Sequence, residues 1–321
     1  MEENPAISVV IPVFNEQENV RLLYQKIREA CKALRRSYEI VFVDDGSSDR
    51  TFDLLEEIHG HDGRVKAIRF RKNYGQTAAM AAGFEYARGE VIVSMDGDLQ
   101  NDPADIPLLL EKMEEGYDIV CGWRKNRQDK LWSRRVPSVA ANWLIGKVTG
   151  VRIRDNGCSL KAYRASVIKK VALYGEMHRF IPAMSTLAGA RTAEIPVSHH
   201  PRRFGKSKYG IGRAWRVALD IVTVKTLTGF ASRPGLWFGL FAFPVFVLGS
   251  LTIFAAVAAL FTNPPVSWDV LFTVGLLWMF LGVNLLSIGL VAELGLKTGD
   301  YLPKKDVRPT VTTLGKSGNA N

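Results

Sequence analysis

Short apolar runs alternate with amphipathic stretches along the first 121 residues. The run Ile7–Val13 is apolar and rich in β-branched residues. Runs of the same kind recur at Glu39–Val43, Val65–Phe70, Val91–Met95 and Asp118–Cys121. The stretches between them have helical spacing near Thr51–Ile58, over Gln76–Ala87 and from Pro103 onward. Alternating strands and helices predict a parallel, doubly wound α/β sheet.

The first predicted helix carries a start signal and an apolar face. Asn15 followed three residues later by Glu18 has the spacing of a capping box. The apolar face consists of Leu23, Ile27, Ala30 and Leu34. We therefore expect a helix that opens at Asn15 and packs on the sheet.

The C-terminal part of the chain contains two long runs without charge. Between Arg233 and Asp269 lie 35 uncharged residues, and between Asp269 and Glu293 another 23. These lengths predict two transmembrane helices, Leu236–Phe261 and Val270–Leu296. Two buried helices of a soluble core are the alternative interpretation.

Charges that flank the two runs predict the orientation of this hairpin. The outer flanks carry Arg233, Lys297, Lys304, Lys305 and Arg308, whereas the connector has no Lys or Arg. The positive-inside rule then makes both termini cytoplasmic. The acidic start of the chain lacks the apolar region of a signal peptide, so the soluble part is expected to stay on the cytoplasmic side.

Charge is distributed unevenly around a formal net value of +10. Residues 1–120 hold 14 Lys and Arg against 23 Asp and Glu, and residues 121–234 hold 23 against 5. The composition excludes a disordered or collagen-like chain. Three widely spaced cysteines, Cys31, Cys121 and Cys158, exclude a disulfide framework or a zinc cluster. A nucleic-acid binder would explain the basic stretch alone, but the acidic part would repel DNA or RNA, so we expect no nucleic-acid partner.

Acidic clusters follow two of the predicted strands. Asp44 opens the stretch Asp-Asp-Gly-Ser-Ser-Asp, and Asp96 and Asp98 flank a glycine. Ligands of doubly wound sheets bind at the carboxyl ends of strands, so both clusters should meet at one crevice. Paired carboxylates at a strand end favour a divalent cation, Mg²⁺ or Mn²⁺. A lone Asp-x-Asp is also common in solvated loops, and Asp102 before Pro103 has the pattern of a helix cap.

Four motifs together resemble family 2 glycosyltransferases of GT-A fold. They are Pro12-Val-Phe-Asn-Glu16, Val43-Asp-Asp-Gly-Ser-Ser-Asp-Arg-Thr51, Asn73-Tyr-Gly-Gln76 and Met95-Asp-Gly-Asp-Leu-Gln-Asn-Asp-Pro103. Within that family the chain is most similar to polyisoprenyl-phosphate glycosyltransferases, a group that includes dolichol-phosphate mannose synthase. The two-helix C-terminal hairpin matches the bacterial undecaprenyl-phosphate (bactoprenol) glucosyltransferases best. The Gln-x-x-Arg-Trp element of the processive polymerases is absent.

The resemblance implies a role for individual residues of the donor site. The uridine or guanosine part of a nucleotide sugar would be held by Pro12, Asn15, Glu16, Asp44 and Asp45. Gln76 would belong to the same nucleotide-sugar site, and Lys208 of a basic loop would close over the diphosphate. The metal and diphosphate would be held by Asp96, Asp98 and Gln100.

The resemblance also implies an acceptor site in the basic segment, where Arg124, Arg134 and Ser138 would hold the lipid phosphate. Arg124 and Arg134 are thereby expected to act in catalysis together with Asp96 and Asp98. Stretches around Trp132–Trp143 and Ile211–Lys225 have the spacing of interfacial amphipathic helices, with a soluble core helix as the alternative. Asp155 is interpreted as a structural loop carboxylate or a catalytic helper, and His199 and His200 receive no role.

The resemblance implies an inverting glycosyltransferase that acts on a polyprenyl phosphate, undecaprenyl phosphate, at the cytoplasmic membrane face. A phosphate monoester is already largely ionised at pH 7, so no strong base is required. UDP-glucose is the expected donor, with GDP-mannose or a UDP-amino-arabinose derivative as alternatives. A non-catalytic membrane-anchored scaffold that binds nucleotide sugars is the rival interpretation. We expect a homo-oligomer, with a tetramer as the proposed state, and four segments with bounds 1–210, 211–234, 235–297 and 298–321.

Overall fold

The computed structural model describes residues 4–125, 146–147, 151, 153–171, 173, 177–187, 189–201, 234–262, 267–298 and 311–314. The chain divides into two compact units. One unit is formed by Met1–Ile221 together with Lys305–Asn321, and the other by Val222–Lys304. The four segment bounds predicted from the sequence stay a prediction.

Eight described strands of the first unit form a single sheet in the order β7-β5-β6-β4-β1-β2-β3-β8. Their bounds are β1 Ile7–Val13, β2 Tyr38–Asp44, β3 Val65–Phe70, β4 Val91–Ser94, β5 Ile119–Trp123, β6 Lys161–Arg164, β7 Thr192–Pro196 and β8 Val311–Leu314. The first five strands agree with the predicted runs to within two residues at each end.

Six described helices accompany this sheet, along with 3-10 turns at Pro103–Asp105 and Met177–Arg179. Their bounds are α1 Val20–Ala33, α2 Thr51–His61, α3 Gln76–Tyr86, α4 Ile106–Glu114, α5 Ala165–Ile168 and α6 Ile181–Leu187. Asp102 caps the first 3-10 turn, as its pattern predicts, because its carboxylate accepts a hydrogen bond from the Ala104 N–H at 3.1 Å.

The sheet is mixed, so the prediction of parallel strands holds only in part. Strands β1 to β4 pair in parallel, and so do β5 and β7. In contrast, β6 runs antiparallel between β4 and β5, and β8 runs antiparallel to β3. Neither strand was among the five predicted runs, and each has only four residues and follows a long segment. Such a segment lets a strand enter the sheet in either direction.

Both faces of the sheet are covered, which makes it doubly wound. On one face Ile7, Val9 and Ile11 of β1 pack with Leu23 and Ile27 of α1. On the other face Val10 of β1 packs in a second cluster, which includes buried residues of α3 such as Met80 and Phe84. Side chains alternate along a strand, so β1 is apolar throughout because it contributes to two cores.

The predicted start of the first helix was wrong. Helix α1 begins at Val20, and its cap residue Asn19 makes no side-chain cap hydrogen bond. Asn15 instead has a positive φ of 51°. Asparagine is one of the few residues that tolerates this left-handed conformation, so Asn15 turns the chain at the end of β1 rather than capping a helix.

The second unit contains two long helices, α7 Pro234–Thr262 and α8 Trp268–Thr298. Both are long and apolar enough to cross a membrane. Three glycines of α8 lie seven residues apart, and a Cβ at Gly275, Gly282 or Gly289 would come within 3 Å of Ile253, Phe246 or Phe238 respectively. Antiparallel packing of α7 and α8 therefore depends on small residues at these positions.

Candidate active site

The carboxyl ends of three neighbouring strands carry most of the predicted donor-site residues. Strands β4, β1 and β2 are adjacent and parallel, so their carboxyl ends lie at the same edge of the sheet. Asn15 and Glu16 follow β1, and Asp96 and Asp98 follow β4. Asp44 is the last residue of β2, and Asp45 follows it. Pro12 pairs with Val43 of β2. The pairing of β1 with β4 already ends at Val10, so the missing N–H of Pro12 removes no hydrogen bond from the β1–β4 pair.

Hydrogen bonds join the turn after β1 to the turn after β2. The Asn15 N–H donates to Ser47 Oγ at 2.8 Å, and Asn15 Oδ1 accepts from the Ser48 N–H at 2.9 Å. The Glu16 N–H donates to Thr51 Oγ1 at 2.8 Å. Hydrogen bonds between residues that are far apart in sequence therefore bring Asn15 and Glu16 next to the Asp44–Asp45 turn.

Asp44 and Asp45 are both buried but have different partners. Asp45 accepts hydrogen bonds from the Tyr74 and Gly75 N–H groups at 2.7 and 2.9 Å, so it fastens the loop that precedes α3. Asp44 Oδ1 accepts from the Ser47 N–H at 3.0 Å. Asp44 Oδ2 is enclosed, has no hydrogen-bond partner among the described residues and lies 3.7 Å from Arg69 Nε. Burial raises the pKa of both carboxyls.

Asp96 and Asp98 lie in a tight turn that packs on the end of β1. A Cβ at Gly97 would come within 2.8 Å of Val13 Cγ1, so only glycine fits between the two carboxylates. Leu99 has a φ of 60°, which places strain at the close of this turn. Asp96 Oδ1 accepts a hydrogen bond from Gln76 Nε2 at 2.6 Å, and Asp98 Oδ1 accepts from the Gln100 N–H at 3.2 Å.

The electrostatics of this turn suit a cation. Burial and the neighbouring Asp98 charge raise the pKa of Asp96, while a hydrogen bond with Ser159 and the charges of Arg124 and Lys161 act in the opposite direction. Uncompensated negative charge of this kind is reduced when a divalent ion binds. No group of three or more His, Cys, Asp or Glu side chains within the described ranges is arranged to hold a metal. A cation here would need further oxygen ligands from a substrate or water.

Arg124 is held in place by Asp155. Arg124 Nε and Nη2 donate to the two Asp155 oxygens at 2.7 and 2.9 Å, and the Arg124 N–H reaches Asp155 Oδ2 at 3.3 Å. The Asp155 side chain is only 3% exposed and that of Arg124 15%. This geometry is the bidentate pairing that fixes a guanidinium plane. It favours the structural interpretation of Asp155.

The segment before the predicted basic loop is fastened to the acidic turn. The His200 N–H donates to the Gln100 carbonyl at 2.8 Å, and Gln100 Nε2 donates to the His200 carbonyl at 3.5 Å. His200 Nε2 also contacts Asp102 Oδ2 at 2.9 Å. His200, which received no role from the sequence, thus joins β7 to the loop after β4.

Comparison with known families decides between the interpretations. Residues 8–174, slightly more than half of the chain, match the family model described as Glycosyl transferase family 2. The chain belongs to glycosyl transferase family 2. The predicted family and the prediction of an enzyme are therefore confirmed.

Named relatives of this family 2 glycosyltransferase act on polyprenyl phosphates. The chain is 40% identical to the dodecaprenyl-phosphate galacturonate synthase of Rhizobium johnstonii, over 91% of this chain and 88% of the relative. It is 39% identical to the undecaprenyl-phosphate 4-deoxy-4-formamido-L-arabinose transferase of Edwardsiella ictaluri, over 89% of this chain and 87% of the relative.

Solved structures confirm the GT-A fold of the glycosyltransferase. Glucosyl-3-phosphoglycerate synthase from Mycobacterium tuberculosis, in complex with Mn²⁺, UDP and phosphoglyceric acid, superimposes with a TM-score of 0.55. That match covers 70% of this chain and 79% of the synthase, at 17% sequence identity. The complex of the same synthase with Mn²⁺ and UDP-glucose gives a TM-score of 0.52 at 15% identity.

Two buried residues of the glycosyltransferase, Lys161 and His178, escaped the sequence analysis. Lys161 of β6 is 3% exposed, and its Nζ donates to the Asn156 carbonyl at 3.0 Å. The sequence feature that could have identified Lys161 is its position between two apolar residues, Leu160 and Ala162, both of which are buried. His178 is 9% exposed and contacts Thr77, but a single histidine in the sequence gave no signal.

Three predicted site residues, Arg134, Ser138 and Lys208, lie outside the described residues. The two predicted interfacial helices, around Trp132–Trp143 and Ile211–Lys225, also lie outside them. Their roles in the glycosyltransferase stay predictions.

Proposed function

We propose that this glycosyltransferase moves a sugar from a nucleotide sugar to a polyprenyl phosphate at a membrane surface. The observation that carries the proposal is the acidic pair Asp96 and Asp98, held beside Gln76 and next to the Asp44–Asp45 turn. The names of the two relatives described above and the two long apolar helices support the lipid acceptor. We infer that these helices span the membrane, with both termini cytoplasmic, and that the protein is a homo-oligomer, with a tetramer as the proposed state.

The donor half of the site is assigned to the turns after β1, β2 and β4. Pro12, Asn15, Glu16, Asp44 and Asp45 would surround the nucleotide, which we propose is UDP. Asp44 Oδ2 has no hydrogen-bond donor among the residues that the structure describes, and we assign it as the acceptor for a base N–H. Asp45 supports the site indirectly, because its two oxygens hold the loop before α3.

Asp96 and Asp98, with Gln100 nearby, would hold a divalent cation, Mg²⁺ or Mn²⁺. Carboxylate and amide oxygens are the ligands that these hard ions prefer. Burial and the neighbouring Asp98 charge raise the pKa of Asp96, and a bound cation would offset both effects. When bound, such an ion neutralises charge on a leaving diphosphate. The complex of the fold neighbour with Mn²⁺ and UDP supports this assignment.

The acceptor half of the site is assigned to cationic side chains. Arg124 would orient the lipid phosphate together with Arg134 and Ser138, and Lys208 would close over the diphosphate. Asp155 fixes the Arg124 guanidinium before the acceptor arrives, so less conformational freedom is lost on binding. An ionised phosphate oxygen would attack the anomeric carbon without a strong base while the bond from that carbon to the nucleoside diphosphate breaks. This single displacement inverts the configuration of the carbon and releases the diphosphate.

The names of the relatives change the expected donor sugar more than any other part of the proposal. Their names specify galacturonate and 4-deoxy-4-formamido-L-arabinose rather than glucose. We therefore rank UDP-linked 4-deoxy-4-formamido-L-arabinose and UDP-galacturonate before UDP-glucose, and GDP-mannose after it.

The test measures transfer of radiolabelled sugar from each of these four donors to undecaprenyl phosphate in detergent. The protein is assayed with Mg²⁺, with Mn²⁺ and with chelator. We expect metal-dependent labelling of the lipid from one donor, with loss of at least about a hundredfold in Asp98→Asn. Asp53→Asn, which alters an exposed carboxylate of α2, is the matched control and should keep full activity. Measurable UDP binding with no transfer from any donor would instead support the scaffold interpretation.

A further inference from the structure

His178 occupies a position that no part of the proposed mechanism uses. It lies in the 3-10 turn Met177–Arg179 and is 9% exposed. Its Nδ1 is 2.7 Å from Thr77 Oγ1, and Thr77 is itself buried. Thr77 directly follows Gln76, whose Nε2 donates to Asp96 Oδ1 at 2.6 Å. The imidazole is therefore anchored to the same end of α3 that contacts the acidic turn.

The surroundings of His178 keep the ring neutral. Burial lowers the pKa of His178 well below its ordinary value, and the nearby positive charges of Arg179 and Lys161 lower it further. Lys161 also acts on Asp96, so the ring and the acidic turn share one buried cation as a neighbour. A neutral imidazole has one nitrogen that donates a hydrogen bond and one that accepts.

Within the described part of the chain, only one of the two His178 ring nitrogens has a partner. Among the described residues, Thr77 is the sole hydrogen-bond partner of the His178 side chain. Nε2 is thus a polar atom on a buried ring with no partner in this part of the chain. Nε2 is not one of the enclosed polar atoms of the described residues that lack a partner, so a ligand or water can reach it.

We propose that His178 Nε2 forms a hydrogen bond with the transferred sugar of the donor. A neutral ring nitrogen suits a sugar hydroxyl or amide better than a phosphate, for which a cation would be the preferred donor. His178 then contributes to the choice of donor rather than to nucleotide binding. This inference rests on the proposed function, because it requires a nucleotide sugar in the crevice.

Two substitutions separate the two ring nitrogens. In His178→Asn the side-chain oxygen and nitrogen are attached to Cγ, as Nδ1 is in histidine. The contact with Thr77 can therefore persist while the group at Nε2 is lost. In His178→Gln the amide lies one atom further out, near the position of Nε2. A structural role for the ring would be rescued by asparagine, whereas a contact with the sugar would be rescued by glutamine.

The experiment compares binding of UDP with binding of UDP-galacturonate, UDP-4-deoxy-4-formamido-L-arabinose and UDP-glucose, without acceptor, to the full-length protein in detergent. For His178→Asn we expect UDP affinity within about twofold of wild type and at least about tenfold weaker binding of the preferred UDP-sugar. His178→Gln should recover part of that loss. Thermal unfolding of each variant is followed in parallel.

Equal weakening of UDP and UDP-sugar in His178→Asn, or no weakening of either, would overturn the proposal. The proposal would also be overturned if the wild-type protein bound each of the three UDP-sugars with the same affinity as UDP. The proposed function fails in a different way, namely when wild type binds a UDP-sugar selectively but does not transfer the sugar to undecaprenyl phosphate.

Discussion

At the scale of single residues, long-range pairing gives this glycosyltransferase groups that local sequence does not define. Arg124 and Asp155 are 31 residues apart, yet they form a buried bidentate pair. Asp45 fastens backbone amides that follow it by about 30 residues. The chemistry of each carboxylate is thus decided by its partner, which is another strand end or loop.

Substitution of Asp155 tests its structural interpretation. Asp155→Ala leaves the Arg124 guanidinium buried without its carboxylate, and we expect a loss of about 3 to 5 kcal/mol in the free energy of unfolding. Asp155→Asn retains one hydrogen-bond acceptor and should lose less. Chemical denaturation of both variants provides the measurement. A catalytic helper with no structural role would instead show wild-type stability in Asp155→Ala together with reduced turnover.

Asp62 provides a second prediction at the residue scale, far in sequence from the acidic turns. Hydrogen bonds from Arg64 lower the pKa of Asp62 to about 2. A carboxyl with a lowered pKa stabilises the fold above its unfolded value near 4, and this stability disappears as the pH falls toward 2. We expect Asp62→Asn to cost about 1 to 3 kcal/mol at pH 7. The difference in stability between wild type and Asp62→Asn, measured by thermal unfolding, should narrow between pH 4 and pH 2. A difference that does not depend on pH would contradict this explanation.

At the scale of elements, glycines fix how closely two helices or turns approach. In the hairpin, Gly282 faces the Phe246 ring, and an added Cβ would come within about 3 Å of three of its atoms. Gly239 of α7 has no atom within 4 Å of the corresponding position. The two glycines therefore form a matched pair within one hairpin.

We expect Gly282→Val to separate α7 from α8 and lower the melting temperature of the detergent-solubilised protein by several degrees, because helix packing in membranes relies on close approach. Gly239→Val should leave the melting temperature nearly unchanged. Circular dichroism during heating is the measurement. Equal effects of the two substitutions would show that the glycine seam does not determine the packing.

At the scale of the whole molecule, the chain returns to its own sheet after the two long helices. Strand β8 pairs antiparallel with β3, from Val311 opposite Phe70 to Leu314 opposite Ala67. Without β8 the strand β3 would be an edge with unpaired backbone groups. Arg69, the ion-pair partner of Asp44, lies within this paired stretch.

A chain that ends at residue 310 tests the contribution of β8. We expect faster amide hydrogen exchange at residues 67–70 of β3 and a greater tendency to aggregate, because an exposed edge strand is a template for pairing. Exchange in β1, which lies inside the sheet, is the internal control and should not change. Unaltered exchange in β3 would contradict a role for β8 at this edge.

The sequence by itself determined the family, the first five strands, the two long apolar helices and the acidic turns of the candidate site. These features are local, because a strand or helix pattern, a glycine between two aspartates and an uncharged run can each be identified within a few tens of residues. The family motifs extend this because they occur in a fixed order along the chain. Identifying Asp44, Asp96 and their neighbours therefore needed no coordinates.

Only the tertiary structure decided which groups meet and in what state. It placed β6 antiparallel between β4 and β5, moved Asn15 from a helix cap to a contact between turns, and buried Lys161 and His178. Strand direction depends on how a long connection returns, and the burial of one histidine depends on packing among distant elements. Neither is encoded in a local pattern, because both are set by contacts between residues that are far apart in the chain.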